Sequence, residues 1–159
     1  MNNVIPPPMQ LHPGMLWGAP TIRCGFSGKR KAVRSCRDFI ADALAANAYG
    51  YPDELRDNAV LCASELATNA IRHTRSGDFD GVFTALLYLR PTWIGLEVHD
   101  LGPRGERPSA PHAVPDSLGD PFATRGRGLA MIGRFSRGRY GYASPPECPF
   151  HTTWCELAA

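Results

Sequence analysis

Hydrophobic and polar residues alternate along this chain with two different periods, and the changes of period divide it into elements. Between Gly28 and Ala48, the residues Ala32, Val33, Cys36, Phe39, Ile40, Ala43 and Leu44 recur at helical spacing and predict a first amphipathic helix. Tyr49-Gly-Tyr-Pro52 interrupts that pattern, and Asp53 reads as the N-cap of a second helix running to about Thr74. Arg75 to Gly81 is polar and reads as a loop. The period then shortens. Val82 to Leu89 and Trp93 to His99 are rich in β-branched, aromatic and aliphatic residues, and the short Arg90-Pro-Thr92 link predicts an antiparallel hairpin. Thr21 to Phe26 predicts a short strand before the first helix. Leu129 to Phe135 predicts a third helix, with Tyr140–Ala143 and Thr152–Leu157 as closing strands.

The predicted order is strand, two helices, two strands, a long irregular segment, helix, two strands. That order specifies an α+β fold: a two-layer α/β sandwich with one mixed sheet and its helices on a single face. Residues 21–159 form the domain, preceded by a Pro-rich arm at residues 1–20 that holds five prolines. The segment at about 101–127 holds five of the chain's fifteen prolines and few large apolar residues. An irregular stretch of that length inside a compact domain predicts either a functional lid or a disordered segment.

Composition changes this picture little. The 159 residues, 43% of them hydrophobic, suffice for one core. A formal charge of +2, with no basic run interleaved with aromatics, gives no direct nucleic-acid surface. The five cysteines form no Cys-x-x-Cys pair, so reduced thiols filling core positions are expected rather than a zinc site. No window approaches the ~20 apolar residues of a membrane span, and no secretory signal is evident, so the expected location is the cytoplasm.

Three local patterns carry candidate chemistry. Glu65 and Asn69, four apart in a helix, share one face among Leu61, Leu66, Ala70 and Ile71, where an acid and a carboxamide suit a hydrated metal ion. Asp100-Leu-Gly102 follows a strand; its carboxylate can accept from an amino group, and its glycine lets a flat ligand approach the backbone. Gly126-Arg-Gly128 opens a helix, where free N–H groups and the helix dipole favour an anion. Each alone is compatible with an ordinary amphipathic helix, a turn or a loop. Neither a Walker A sequence nor a Rossmann fingerprint is present. In this order, the three describe one nucleotide pocket: metal pair, acceptor for the base, lid, phosphate-binding helix start.

Ser64-Glu-Leu-Ala-Thr-Asn-Ala-Ile-Arg-His73, Val98-His-Asp-Leu-Gly102 and Gly126-Arg-Gly-Leu129 resemble the N, G1 and G2 boxes of the Bergerat-fold (GHKL) ATPases. The short form ending in Trp154-Cys-Glu-Leu157 is similar to bacterial anti-sigma-factor serine/threonine kinases. The resemblance covers residues 20–157 and implies ATP and Mg²⁺ as cofactors. It implies Glu65 as general base, Asn69 as Mg²⁺ ligand and Asp100 as acceptor of the adenine amino group. Gly102 would let the base lie close. Gly126, Arg127, Gly128 and Leu129 would form the phosphate end, with Arg125 or Arg127 neutralising charge. Arg72 and His73 lie a turn beyond the pair, where a surface or core role is expected of His73.

The implied function is a regulatory kinase that sequesters a sigma factor and phosphorylates a serine of an anti-anti-sigma (STAS-type) partner, with a homodimer as the implied assembly. The alternative is a catalytically weak ATP-binding interaction module in the same partner-switching pathway. A histidine-kinase fragment fits less well, since the first helix contains no histidine. Three departures from the family pattern bear on this choice. Pro103-Arg104 stands where another glycine is common, the lid is Pro-rich, and Phe150-His-Thr-Thr153 replaces Gly-Thr-Thr. The last leaves an adenine contact open between Thr152 and Thr153.

Overall fold

The computed structural model describes residues 17–105, 127–144 and 150–159. Most of the Pro-rich arm, most of the expected lid, Arg125, Gly126 and the side chain of Arg127 therefore lie outside the described residues. The elements are β1 (Ile22–Ser27), α1 (Ala32–Ala45), α2 (Asp53–His73), a 3-10 turn (Arg75–Gly77), β2 (Val82–Arg90), β3 (Trp93–Asp100), α3 (Arg127–Phe135), β4 (Tyr140–Ala143) and β5 (His151–Ala158).

The strands form one five-stranded sheet in the order β1-β2-β3-β5-β4. Every neighbouring pair is antiparallel. The α+β sandwich is as the periodicity predicts, but the expectation of a mixed sheet is corrected. Two helices intervene between β1 and β2, so the chain re-enters the sheet in the opposite direction. Among the described residues one helix, α3, lies between β3 and β4, and those two strands run parallel in direction. β5 is inserted between them and pairs antiparallel with both. Among the described residues no strands pair in parallel.

α1 buries Ala32, Cys36, Ile40 and Leu44. α2 buries Leu55, Ala59, Cys62, Ala63, Leu66, Ala67, Ala70 and Ile71, an alanine-rich face that lets the helix lie close to the sheet. They pack against Phe83, Ala85, Leu87 and Leu89 of β2, Ile94, Leu96 and Val98 of β3, and Cys155 and Leu157 of β5. Leu61, placed by its sequence beside this stripe, instead faces solvent. The N-cap of α2 is Pro52 rather than Asp53, whose carboxylate sits with Glu54 in the first turn. Proline fixes a suitable φ at the helix start, and both acids complement the positive end of the dipole. Arg72 and His73 complement the other end and are exposed.

The opposite face of the sheet carries a second, aromatic cluster. Trp17 sits against Tyr88, Trp93 and Trp154, with ring centroids 5.0, 5.3 and 5.6 Å away. Its Nε1 donates to Glu156 Oε2 (3.1 Å), and the Arg90 guanidinium donates to the carbonyls of Trp17 and Ala19. Gly95 leaves room for this ring: a Cβ there would stand 2.8 Å from it. Beside the cluster, Glu97 is 1% exposed, yet accepts from Tyr88 Oη (2.8 Å) and meets His99 Nε2 (2.6 Å). A buried carboxylate needs such partners. Burial, together with this contact, pushes the Tyr88 phenol well above its ordinary value.

Candidate nucleotide site

The helical period of α2 places Glu65 and Asn69 on one face, both half-buried at the margin of the core. Asn69 Nδ2 is buried and has no hydrogen-bond partner among the described residues. An unsatisfied buried amide costs about 1–3 kcal/mol, so it marks a place for an acceptor that the protein itself does not supply. The Glu65 carboxylate reaches across to the start of α3, where it fills the space that a Cβ at Gly128 would occupy. Side-chain packing thus joins the acid of α2 to the opening turn of α3.

Asp100 ends β3 and is 4% exposed. It lies on the helix-facing side of the sheet, two positions beyond Val98. Its Oδ1 accepts from the Gly102 N–H (2.8 Å). Burial raises its pKa from the ordinary 3.8 to about 6, opposed by the Gly102 N–H, the charge of His99 and the Thr74 hydroxyl. A carboxylate has about four acceptor positions, so capacity for an amino group remains. Gly102 adopts φ +77°, a backbone conformation that disfavours other residues. The His151 ring lies over it, 3.2 Å from where a Cβ would stand.

The loop after Asp100 is stitched to the end of α2. The Arg75 N–H donates to Gly102 O (2.8 Å), Arg75 Nε to Leu101 O (2.9 Å), and the Leu101 N–H to Ser76 Oγ (2.9 Å). Thr74 and Pro103 form an isolated antiparallel bridge. The Arg104 guanidinium donates to the carbonyls of Arg72 (3.0 Å) and Ile71 (3.1 Å), and its Nε to Asp78 Oδ1 (2.7 Å). Pro103-Arg104 therefore serves as a clamp on the C-terminus of α2, where backbone carbonyls lack partners. The loop after Asp100 and the helix that carries the acid–amide pair belong to one connected unit.

The strand register separates the two threonines. His99 pairs with Thr152, whereas Val98 pairs with Thr153 and Asp100 with His151. Directly opposed residues share a face, so Thr153 and His151 stand on the side of Asp100 and Thr152 on the other. Sequence reasoning assigned no site role to His151, Thr74 and Ser76, and read Arg104 only as a departure from a glycine pattern. Only the Phe150-His-Thr-Thr153 departure signalled the first of them. Leu129 packs into the core at 7% exposure. Gly126 lies outside the described residues, and Arg127 opens α3.

Taken together, a recessed acceptor beside a glycine lies at the end of β3, and an unsatisfied amide with an acid stands one helix away. A second helix begins against that acid. The set fits a ligand with an amino-bearing flat base at one end and an anion at the other. The profile of the histidine kinase-like ATPase domain matches residues 26–138, well over half of the chain. No curated protein matches. Among the described residues, no helix is long and apolar enough to cross a membrane. By the extent of that match, the chain belongs to the family of histidine kinase-like ATPase domains.

Proposed function

We propose that this ATPase domain is a regulatory serine/threonine protein kinase of the anti-sigma-factor type, binding ATP with Mg²⁺ and acting on an anti-anti-sigma partner. The observation that carries the reading is the buried amide of Asn69, one turn from Glu65 and without a hydrogen-bond partner among the described residues. Its Nδ2 has a donor to give to a phosphate oxygen, and its Oδ1 is a hard ligand of the kind Mg²⁺ takes alongside phosphates. Asp100 would hold the adenine amino group, with Gly102 and the imidazole over it beside the base and Thr153 on the same face. Gly126, Arg127 and Gly128 would form the phosphate end at the start of α3. Glu65 would take the proton of the attacking serine hydroxyl while the bond from serine oxygen to the γ-phosphorus forms and the bond to ADP breaks. Phosphoryl transfer asks mainly for such positioning and charge stabilisation.

A second reading, a binding module for which ATP is a conformational ligand, is favoured by Arg104. Its clamp holds the base loop to α2 and leaves that loop little freedom to close. Incubation with γ-labelled ATP and an anti-anti-sigma protein separates the two. Label on serine that Glu65→Ala abolishes supports the kinase; a tight ternary complex without label supports the module. Absence of any heat on titration with ATP and Mg²⁺ would overturn both.

A further inference from the structure

β3 and β5 place His151 directly opposite Asp100 on the helix-facing side of the sheet. The imidazole is half-buried, with its Cδ2–Nε2 edge over Gly102. Its Nδ1 lies 3.1 Å from Ser144 Oγ, so the ring is held from behind by a hydroxyl. Burial and the nearby Arg75 guanidinium lower its basicity, which favours the neutral ring. A serine hydroxyl that donates to Nδ1 leaves the proton on Nε2, the nitrogen that faces Gly102. A flat ligand whose amino group reaches Asp100 along Gly102 must therefore meet the Nε2 edge.

We infer that His151 is a specificity-determining residue of the nucleotide site, a donor that with the acceptor Asp100 reads the base. The inference rests on the nucleotide reading above. Adenine presents an amino donor at C6 beside an acceptor at N1, and this matches carboxylate and Nε2–H in that order. Guanine presents an acceptor at C6 beside a donor at N1, which opposes both groups. The pair therefore selects an adenine nucleotide twice over, through one satisfied bond each and through two mismatches for the competitor.

The test is calorimetric titration of the full chain with ADP and with GDP, Mg²⁺ present, after circular dichroism has shown each variant folded. His151→Phe keeps a ring and removes the donor; His151→Gln keeps a donor; His151→Ala replaces the phenylalanine variant if that one does not fold. Loss of one hydrogen bond of about 1.4 kcal/mol corresponds to about tenfold in affinity. His151→Phe should bind ADP about tenfold more weakly and GDP no more weakly than the parent, since one mismatch is removed, and His151→Gln should stay within about threefold of the parent. ADP binding that is unchanged or tighter in the phenylalanine or alanine variant, while the parent binds ADP, overturns the role of His151 alone. Failure of the parent to bind ADP overturns the nucleotide reading and this inference together.

Discussion

The carboxylate of Glu65 occupies the space that a side chain at Gly128 would fill. Gly128 is the second residue of α3, so the acid rests in a first turn whose N–H groups have no intrahelical acceptor. The same turn is the proposed phosphate end. One acid thus stands where an incoming anion would be received, and glycine is what permits it.

Gly128→Ala separates these roles. Alanine is the better helix former by about 1 kcal/mol, and the displaced group is the far end of a flexible side chain, so stability should hold or rise slightly. Nucleotide affinity should nevertheless fall about tenfold or more, since Glu65 and the new methyl crowd one turn. Thermal melting alongside titration with ATP checks both halves; unchanged affinity would detach Glu65 from the phosphate end.

Asn69→Ala should abolish nucleotide binding without harming the fold. The amide nitrogen it removes is buried and unsatisfied among the described residues. Its loss is expected to leave unfolding free energy level or raise it by up to about 1 kcal/mol. Urea denaturation of the ligand-free variant measures this. A loss above about 2 kcal/mol would mean the amide is structural.

Asp100 predicts opposite pH dependences for stability and binding. Its folded value, about 6, lies above its ordinary 3.8, so between those values the folded state holds the extra proton. Stability therefore falls as pH rises through that window and is level above it, by at most about 3 kcal/mol at about 1.4 kcal/mol per unit. Amino-group capture needs the carboxylate, so ADP affinity should rise over the upper part of the same window. Asp100→Asn should flatten the stability profile, raise the melting temperature at neutral pH and weaken ADP binding. Melting and titration at pH 5, 6 and 7 (about one unit apart, to bracket the transition) test the pair.

Trp17→Ala should act on stability alone. The ring touches three other aromatics on the face away from the helices. Truncating a buried tryptophan costs about 3–5 kcal/mol. Where the variant remains folded, its ADP affinity should match the parent, because Asp100, Gly102 and Asn69 lie on the other side of the sheet. A tenfold change in affinity would show that the two faces communicate.

The elements were legible in the sequence because their periods are strong: α2 runs as a helical stripe, and β2 and β3 read as strands across the short Arg90-Pro-Thr92 link. The pairing order was harder. β5 sits between β3 and β4, a nonlocal arrangement on which hydrophobic alternation is silent, so the sheet read as mixed. Asn69 and Asp100 stood out because an amide and an acid interrupt otherwise apolar contexts. His151 did not, since only the register with β3 reveals which face it takes. Arg104 read as a departure from a glycine pattern; its meaning came from carbonyls of Ile71 and Arg72, distant in sequence.

The insertion of β5 also sets an order of assembly. Among the described residues β4 pairs only with β5, and β5 joins β3 through partners 51 to 65 positions apart, from Asp100–His151 to Trp93–Ala158. Such distant pairings close slowly, after the local hairpin β2–β3. The chain can thus collapse around α1, α2 and that hairpin while the wall bearing His151 and Thr153 is still missing. In pulsed hydrogen exchange during refolding, amides of β4 and β5 should gain protection last, and the capacity to bind nucleotide should appear only with them.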